Sequence, residues 1–212
     1  MQPSEIESLL PYLTPAEQGE LAALLQGAPS WLPLPGPQAQ AYTSEADVIG
    51  YGGAAGGGKT DLACGKALTQ HKRIMILRRE ATQLTGIIDR LKEIVGNADG
   101  YNGAEKIWRM ADGRQIEFGS TPNLTDWNKY QGRPHDLLVF DEAANFLEAQ
   151  VRALLGWLRS VDPKQKCQAL LTFNPPTTAE GRWVIDFFAP WLDSKFPKPA
   201  RPGELRFCAT VN

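Results

Sequence analysis

Between Gly53 and Thr60 the chain reads Gly-Ala-Ala-Gly-Gly-Gly-Lys-Thr, a glycine run closed by a lysine and a hydroxyl. Glycines at this density let successive backbone N–H groups turn inward around an anion. A lysine at the end of such a run reaches the terminal phosphates of a nucleotide, and a threonine after it is a ligand for magnesium. Gly53, Gly58, Lys59 and Thr60 meet the pattern G-x-x-x-x-G-K-[ST] of a Walker A loop, and Ala54, Ala55, Gly56 and Gly57 fill it. A flexible linker that happens to contain Lys-Thr is the competing explanation, and the flanking residues, strand-like before and helix-like after, argue against it. Further on, the apolar run Leu137-Leu-Val-Phe ends in Asp141-Glu142, the form of a Walker B strand. There Asp141 holds magnesium and Glu142 orients and partly deprotonates an attacking water; the bland alternative is a solvated acidic pair capping the next helix. A third apolar run, Leu170-Leu-Thr172-Phe-Asn174-Pro-Pro, sets small polar groups where Thr172 and Asn174 can sense a γ-phosphate, with an ordinary Asn-Pro turn as the rival reading.

Such residues need a scaffold that brings strand ends together. Strand-like segments at 47–51, 73–77, 137–140, 169–173 and 205–211 alternate with helical ones at 59–70, 84–95, 147–159 and 182–192. Ile107–Met110 and Gln115–Phe118 flank an Asp-Gly turn and read as an inserted hairpin. Strand–helix alternation implies an α/β fold: a P-loop NTPase of the RecA/ASCE-like kind, with a mostly parallel central sheet flanked by helices. Ahead of it, residues 1–28 read as a short N-terminal helical hairpin, where Thr14 and Glu17 form a capping box with Pro15 at the first helical position. Residues 29–46 read as an extended Pro-rich connector, and 47–212 as the ATPase domain.

Composition narrows the function further. A formal net charge of -2 in 212 residues excludes a globally basic nucleic-acid binder, so any DNA contact must be local. Three scattered cysteines, Cys64, Cys167 and Cys208, form neither a disulfide framework nor a zinc motif and suit a reducing cytoplasm. No membrane span or signal peptide is visible. His71 and His135 read as isolated surface or turn residues. Asn128-Lys129-Tyr130-Gln131 lacks the aspartate of a guanine-specificity motif and precedes the acidic strand, which disfavours GTP.

Tyr51-Gly-Gly-Ala-Ala-Gly-Gly-Gly-Lys-Thr60, Tyr130-Gln-Gly-Arg-Pro-His-Asp-Leu-Leu-Val-Phe-Asp-Glu-Ala-Ala144, Thr172-Phe-Asn-Pro-Pro176 and Gly181-Arg-Trp-Val together resemble the large terminase subunit of tailed bacteriophages, over residues 38–192. The resemblance implies an ATP- and Mg2+-dependent motor that drives double-stranded DNA into a capsid in the cytoplasm of an infected bacterium. Its implied partners are the portal protein, the small terminase subunit and copies of itself in a ring. It implies Lys59 and Thr60 on phosphates and magnesium, Asp141 on magnesium, Glu142 as catalytic glutamate, and Thr172 to Asn174 as the segment coupling hydrolysis to movement. It also implies an adenine-contacting glutamine, Gln38 or Gln40, and an arginine given in trans to a neighbour's site: Arg133, with Arg78 and Arg79 as alternatives for that role or for DNA phosphates. The family's nuclease domain would follow the ATPase domain; the sequence ends at Asn212, so no nuclease activity is expected of this chain. A helicase-type DNA-dependent ATPase stays open because Asp141-Glu142-Ala-Ala resembles a DEAD-box core, and so does a nucleotide-gated docking module with little hydrolysis.

Overall fold

The apolar runs become the strands of one sheet in the computed structural model, which describes residues 12–14, 17–18, 31–54, 56–193 and 195–197 and the backbone of 206–211. In chain order the described strands are β1 (Val48–Gly53), β2 (Arg73–Arg78), β3 (Tyr101–Asn102), β4 (Ile107–Arg109), β5 (Gln115–Ser120), β6 (Leu137–Phe140), β7 (Gln168–Phe173) and β8 (Arg206–Val211). Among the described residues from 31 onward the helices are α1 (Pro37–Thr43), α2 (Lys59–Thr69), α3 (Leu84–Val95), α4 (Glu148–Leu155) and α5 (Trp183–Leu192), with short 3-10 turns between.

Across the sheet the order is β3-β4-β5-β2-β6-β7-β1-β8. All neighbours from β5 to β8 pair in parallel, whereas β3 and β4 pair antiparallel, β4 with β5. The hairpin predicted around Asp112-Gly113 is present, and its second strand is also the edge of the parallel sheet. β7 lies between the glycine-loop strand β1 and the acidic strand β6, the strand order of the RecA/ASCE branch of P-loop NTPases. Parallel strands must be covered on both faces, and both side-chain parities are buried. Met75, Leu77, Leu138, Phe140, Leu171 and Phe173 share a core with Val151 and Leu154 of α4 and Val184 and Phe188 of α5. The alternate residues Ile74, Ile76, Leu137, Val139 and Leu170, on the opposite face, are equally buried.

Three expectations change. Inside the supposed extended connector, Pro37 begins helix α1, with Gly36 before it at φ 93°. Proline at the first helical position forfeits no hydrogen bond and arrives with a helical φ, so a Pro-rich run ends as a helix start. The helix expected over 147–159 stops at Leu155 because its continuation pairs elsewhere: the His135 backbone donates to the Trp157 carbonyl and accepts from the Arg159 N–H, a bridge to Leu158. His71 and His135 are buried, at 1% and 6% exposure, rather than at the surface. His71 lies against Asp136, whose carboxylate also accepts the Lys72 and Arg73 N–H groups, and His135 meets Glu117. No periodicity marks a histidine as buried; its acidic partner, distant in the chain, does.

The chain divides into two units, Met1–Trp31 and Leu32–Asn212. In the first, Thr14 and Glu17 form the expected capping box, with the Thr14 N–H and hydroxyl each 2.7 Å from the Glu17 carboxylate and the Glu17 N–H returned to the Thr14 hydroxyl. These bonds hold the Glu17 carboxyl below the usual carboxylate range. The rest of the helical hairpin lies outside the described residues.

Helix α1 is tied to α2 by a buried lysine. Lys66, 0% exposed, donates to the Tyr42 carbonyl at the end of α1 (3.1 Å) and to the Gln70 side chain (2.6 Å). Burial pushes its pKa down to about 8, with Glu45 acting weakly against the shift. The folded chain therefore gives up this proton at lower pH than the unfolded chain. The cost of holding the charge is fully present below pH 8, and stability rises as pH climbs from about 8 to about 10.5. Relative to Lys66→Met, wild-type stability in urea melts should grow across that window by on the order of 3 kcal/mol.

Candidate functional site

The carboxyl edge of the parallel strands collects the chemistry. The glycine run leaves β1 at Gly53 and closes on α2, whose first residue is Lys59. Gly58, the residue before α2, sits in the left-handed region at φ 67° with no side chain capping the helix, so the first turn keeps its N–H groups for an anion. A Cβ at Gly58 would also lie 2.4 Å from the Gln38 amide nitrogen, so a side chain there would displace Gln38 from the Gly58 carbonyl. Lys59 Nζ folds back onto the loop, donating to the carbonyls of Gly53 (3.0 Å) and Ala54 (2.6 Å), and the Tyr51 hydroxyl donates to the Gly57 carbonyl at 3.1 Å. Desolvation lowers the Lys59 pKa, and Asp141 and Glu142 oppose the shift. Ala55 lies outside the described residues.

β6 and β7 deliver the acidic and polar groups together, because adjacent parallel strands in register end side by side. Asp141 follows β6 and is 1% exposed. Its Oδ1 accepts the Thr172 hydroxyl at 2.5 Å, and its Oδ2 accepts Nε (2.7 Å) and Nη2 (2.5 Å) of Arg78, from the end of β2. Glu142 takes a left-handed backbone at φ 60° and ψ 51°, uncommon for a residue with a side chain. Three contacts keep it there: its N–H reaches the Thr172 hydroxyl (3.2 Å), and its carboxylate meets Arg78 Nη1 (2.9 Å) and Asn145 Nδ2 (3.1 Å). Such strain gathers at functional sites. Beside it, Glu142, Asn145, Asn174 and Pro175–Thr178 line a 260 Å³ cleft, so the end of β7 opens onto the same carboxylate.

Gln38, the preferred of the two glutamines, and Gln40 part company. Gln38 is 3% exposed, donates to the Gly58 carbonyl at 2.8 Å and accepts the Leu34 N–H; Gln40 is exposed. The arginines divide as well. Arg78 is bound to its own chain's acids, and Arg79 donates to the buried Gln150 at 2.6 Å. Gln150 in turn closes the first turn of α4 and donates to the Thr121 and Asn123 carbonyls. Arg133 stands apart from this edge. It pairs with Glu117, lies over the Tyr130 ring, and is half-exposed beside a 460 Å³ cavity at the amino edge, which Arg73, Asp136 and Arg159 also line. Burial pushes the Glu117 carboxyl up, but the hydrogen bond with His135 and the charge of Arg133 outweigh it and leave the group below its ordinary value. That cavity has no glycine loop or open helix start, so the phosphate edge is the nucleotide candidate.

The pairing of Arg78 with both acids escapes the sequence because β2 and β6 are distant in the chain and adjacent only in the sheet. A signal exists in outline: an arginine and an acid both placed just where apolar strands end.

Magnesium is suited to this edge by the donor set. Among the described residues no group of three or more His, Cys, Asp and Glu stands ready to hold a metal. Thr60 and Asp141 are hard oxygen donors of the kind magnesium accepts when phosphate oxygens and water complete its shell.

The fold is that of a P-loop NTPase of the RecA/ASCE type. No protein-family model matches the chain, and no curated protein sequence does. Solved structures do. The large terminase of a thermophilic bacteriophage in complex with ADP matches at 18% identity and a TM-score of 0.55, over 83% of this chain and 44% of that one. The large terminase ATPase domain of Thermus phage P74-26 matches at 17% identity and 0.57, covering 86% and 82%. The HK97 bacteriophage large terminase matches at 14% and 0.59, covering 84% and 39%. The chain thus has the fold of phage large terminase ATPase domains, and spans less than half of the ADP-bound terminase and of the HK97 protein.

The polar knot under the site can be tested by itself. Thr172→Val keeps the shape but leaves the buried Asp141 oxygen and the Glu142 N–H each short of a partner. It should cost about 2 kcal/mol in denaturant unfolding, with Thr172→Ser near wild type.

Proposed function

We propose that the chain is the ATPase motor domain of a phage large terminase, coupling ATP hydrolysis to movement of double-stranded DNA into a capsid. The observation that carries this reading is the meeting of Lys59, Thr60, Asp141, Glu142, Thr172 and Asn174 at one sheet edge, on a fold that solved large terminases share.

In this reading the loop N–H groups and the start of α2 bind the phosphates, and Lys59 exchanges its loop carbonyls for the β- and γ-phosphate oxygens. Thr60 and Asp141 hold Mg2+, which when bound neutralises charge on the phosphates. Glu142 orients a water in line with the γ-phosphate and takes its proton. Thr172 bonds both Asp141 and the Glu142 backbone, so it carries a change at the acids into β7 and on to Asn174 and the Pro175–Thr178 loop, the coupling segment. The Gln38 amide keeps one N–H and one lone pair beyond its bonds to Gly58 and Leu34. That pair matches N7 and the 6-amino group of adenine.

Arg133 lies at the amino edge, where it pairs with Glu117 and not with Asp141 or Glu142, and its half-exposed guanidinium is open to a neighbour in a ring. The portal protein and the small terminase subunit are the further partners of this reading, and the cytoplasm of the infected host its location. Among the described residues no helix is long and apolar enough to cross a membrane.

Steady-state hydrolysis with and without duplex DNA tests the function. Glu142→Gln should bind an ATP analogue as wild type does and lose at least about 100-fold in turnover. Equal rates in the two proteins would sink the hydrolytic reading, and strand separation of a forked duplex would reassign the chain to helicases. Mixing Arg133→Ala with Glu142→Gln subunits under assembling conditions should recover activity that neither has alone; no recovery removes Arg133 from the trans role. Gln38→Ala should weaken ATP binding by about tenfold and narrow the preference for ATP over GTP, measured by competition against a fluorescent analogue. An unchanged preference would clear Gln38 of base recognition.

A further inference from the structure

Arg78 has every guanidinium nitrogen committed to the acids of the site: Nε and Nη2 to Asp141, Nη1 to Glu142. Its side chain is 13% exposed and that of Asp141 2%, so the contact is shielded from water and not a loose surface pair. Two carboxylates on adjacent residues, one of them buried, repel each other strongly unless a cation stands between them. Here that cation belongs to the protein.

We propose that Arg78 is a latch that stands in for the divalent cation: it holds Asp141 and Glu142 in the nucleotide-free chain and must yield to magnesium when a nucleotide binds. The proposal rests on the reading of Asp141 and Glu142 as the acids that serve a magnesium nucleotide. Two physical facts carry it. A divalent cation and a guanidinium cannot both occupy Oδ2 of Asp141, where two N–H groups already converge within 2.7 Å. The latch is also chelating, since one planar group bridges both acids, and removing it uncovers two charges at once. Magnesium alone is a poor competitor for such a contact, because it sheds its water reluctantly. A nucleotide changes the balance. Its phosphates bring negative charge to the same edge, which both attracts the metal and offers the released guanidinium a new anionic partner. Arg78 thereby makes metal binding conditional on nucleotide and keeps Glu142 from acting on water while the site is empty. Its role is positioning: it acts through the two carboxylates.

Thermal unfolding without nucleotide separates this role from an ordinary ion pair. Millimolar MgCl2, against NaCl of matched ionic strength, should leave the melting temperature of wild type unmoved. Arg78→Ala should melt lower in NaCl and be raised by MgCl2 by about 3 °C or more, since its bare acids then form a cation site. Asp141→Asn added to Arg78→Ala should abolish that rise. Arg78→Lys, whose ammonium meets one acid at a time, should gain part of the magnesium response, and it carries the test if the alanine variant fails to fold. A magnesium response as large in wild type as in the variants overturns the latch, and so does an Arg78→Ala or Arg78→Lys protein that ignores magnesium. Binding of a fluorescent ATP analogue tells this failure from the other one. A wild-type chain that binds no analogue at any magnesium concentration overturns the nucleotide reading itself, whereas a binding chain with magnesium-blind variants loses only the latch.

Discussion

The Asp141 carboxylate is 1% exposed, and the carboxyl edge of the molecule is arranged around what that burial demands. An ionised carboxylate taken out of water must find its hydrogen bonds and its counter-charge nearby. It finds the first on β7, in the Thr172 hydroxyl, and the second on β2, in Arg78. Since β6 lies between those strands, one side chain ties three adjacent strands together at the carboxyl edge. Glu142 inherits its left-handed backbone from the same knot, because Thr172 and Arg78 hold it as well.

The glycine loop is fixed from the other side by a second polar chain. Gln38 on α1 braces the carbonyl of Gly58, Lys66 on α2 bonds the end of α1 at Tyr42, and Gln70 adds a further bond to the same carbonyl. A short helix begun by Pro37 is thereby clamped to the helix that follows the phosphate loop at both of its ends. Lys66 carries a desolvation cost for this, which the fold accepts to place a donor where a helix terminus leaves its carbonyls unpaired. The amino edge is pinned in a comparable way by Asp136, which accepts two backbone N–H groups and lies against His71. Both edges of the sheet therefore rest on buried carboxylates. The one at the amino edge is satisfied by backbone N–H groups, whereas the one at the carboxyl edge is paired with the Arg78 side chain.

Local pattern made a good part of this legible. Gly-x-x-x-x-Gly-Lys-Thr involves only neighbouring residues, so its place between a strand and the helix that begins at Lys59 was readable, and the strand of Leu137–Phe140 and the helix of Leu84–Val95 appear with the limits their apolar periods suggest. Asp141, Glu142 and Thr172 were readable as residues at strand ends, since a buried run must stop where polarity begins. The short reach of α4, the burial of both histidines and the helix at Pro37 were less legible. Each depends on a partner distant in sequence or on a choice between two locally allowed conformations.

What the sequence determined by itself is the inventory: a glycine-rich loop of phosphate-binding pattern, two acids, a polar strand end, and alternating strands and helices that demand a parallel sheet. Only the tertiary structure decided the pairings. It brought Gln38, and not Gln40, against Gly58 by packing α1 there, set Arg78 on the two acids by making β2 the neighbour of β6, and left Arg133 on the far edge with Glu117. The physical reason is the same in each case. Hydrogen bonds and ion pairs act over a few ångströms in space, and strand order, which no local run of residues specifies, determines which groups come within that distance.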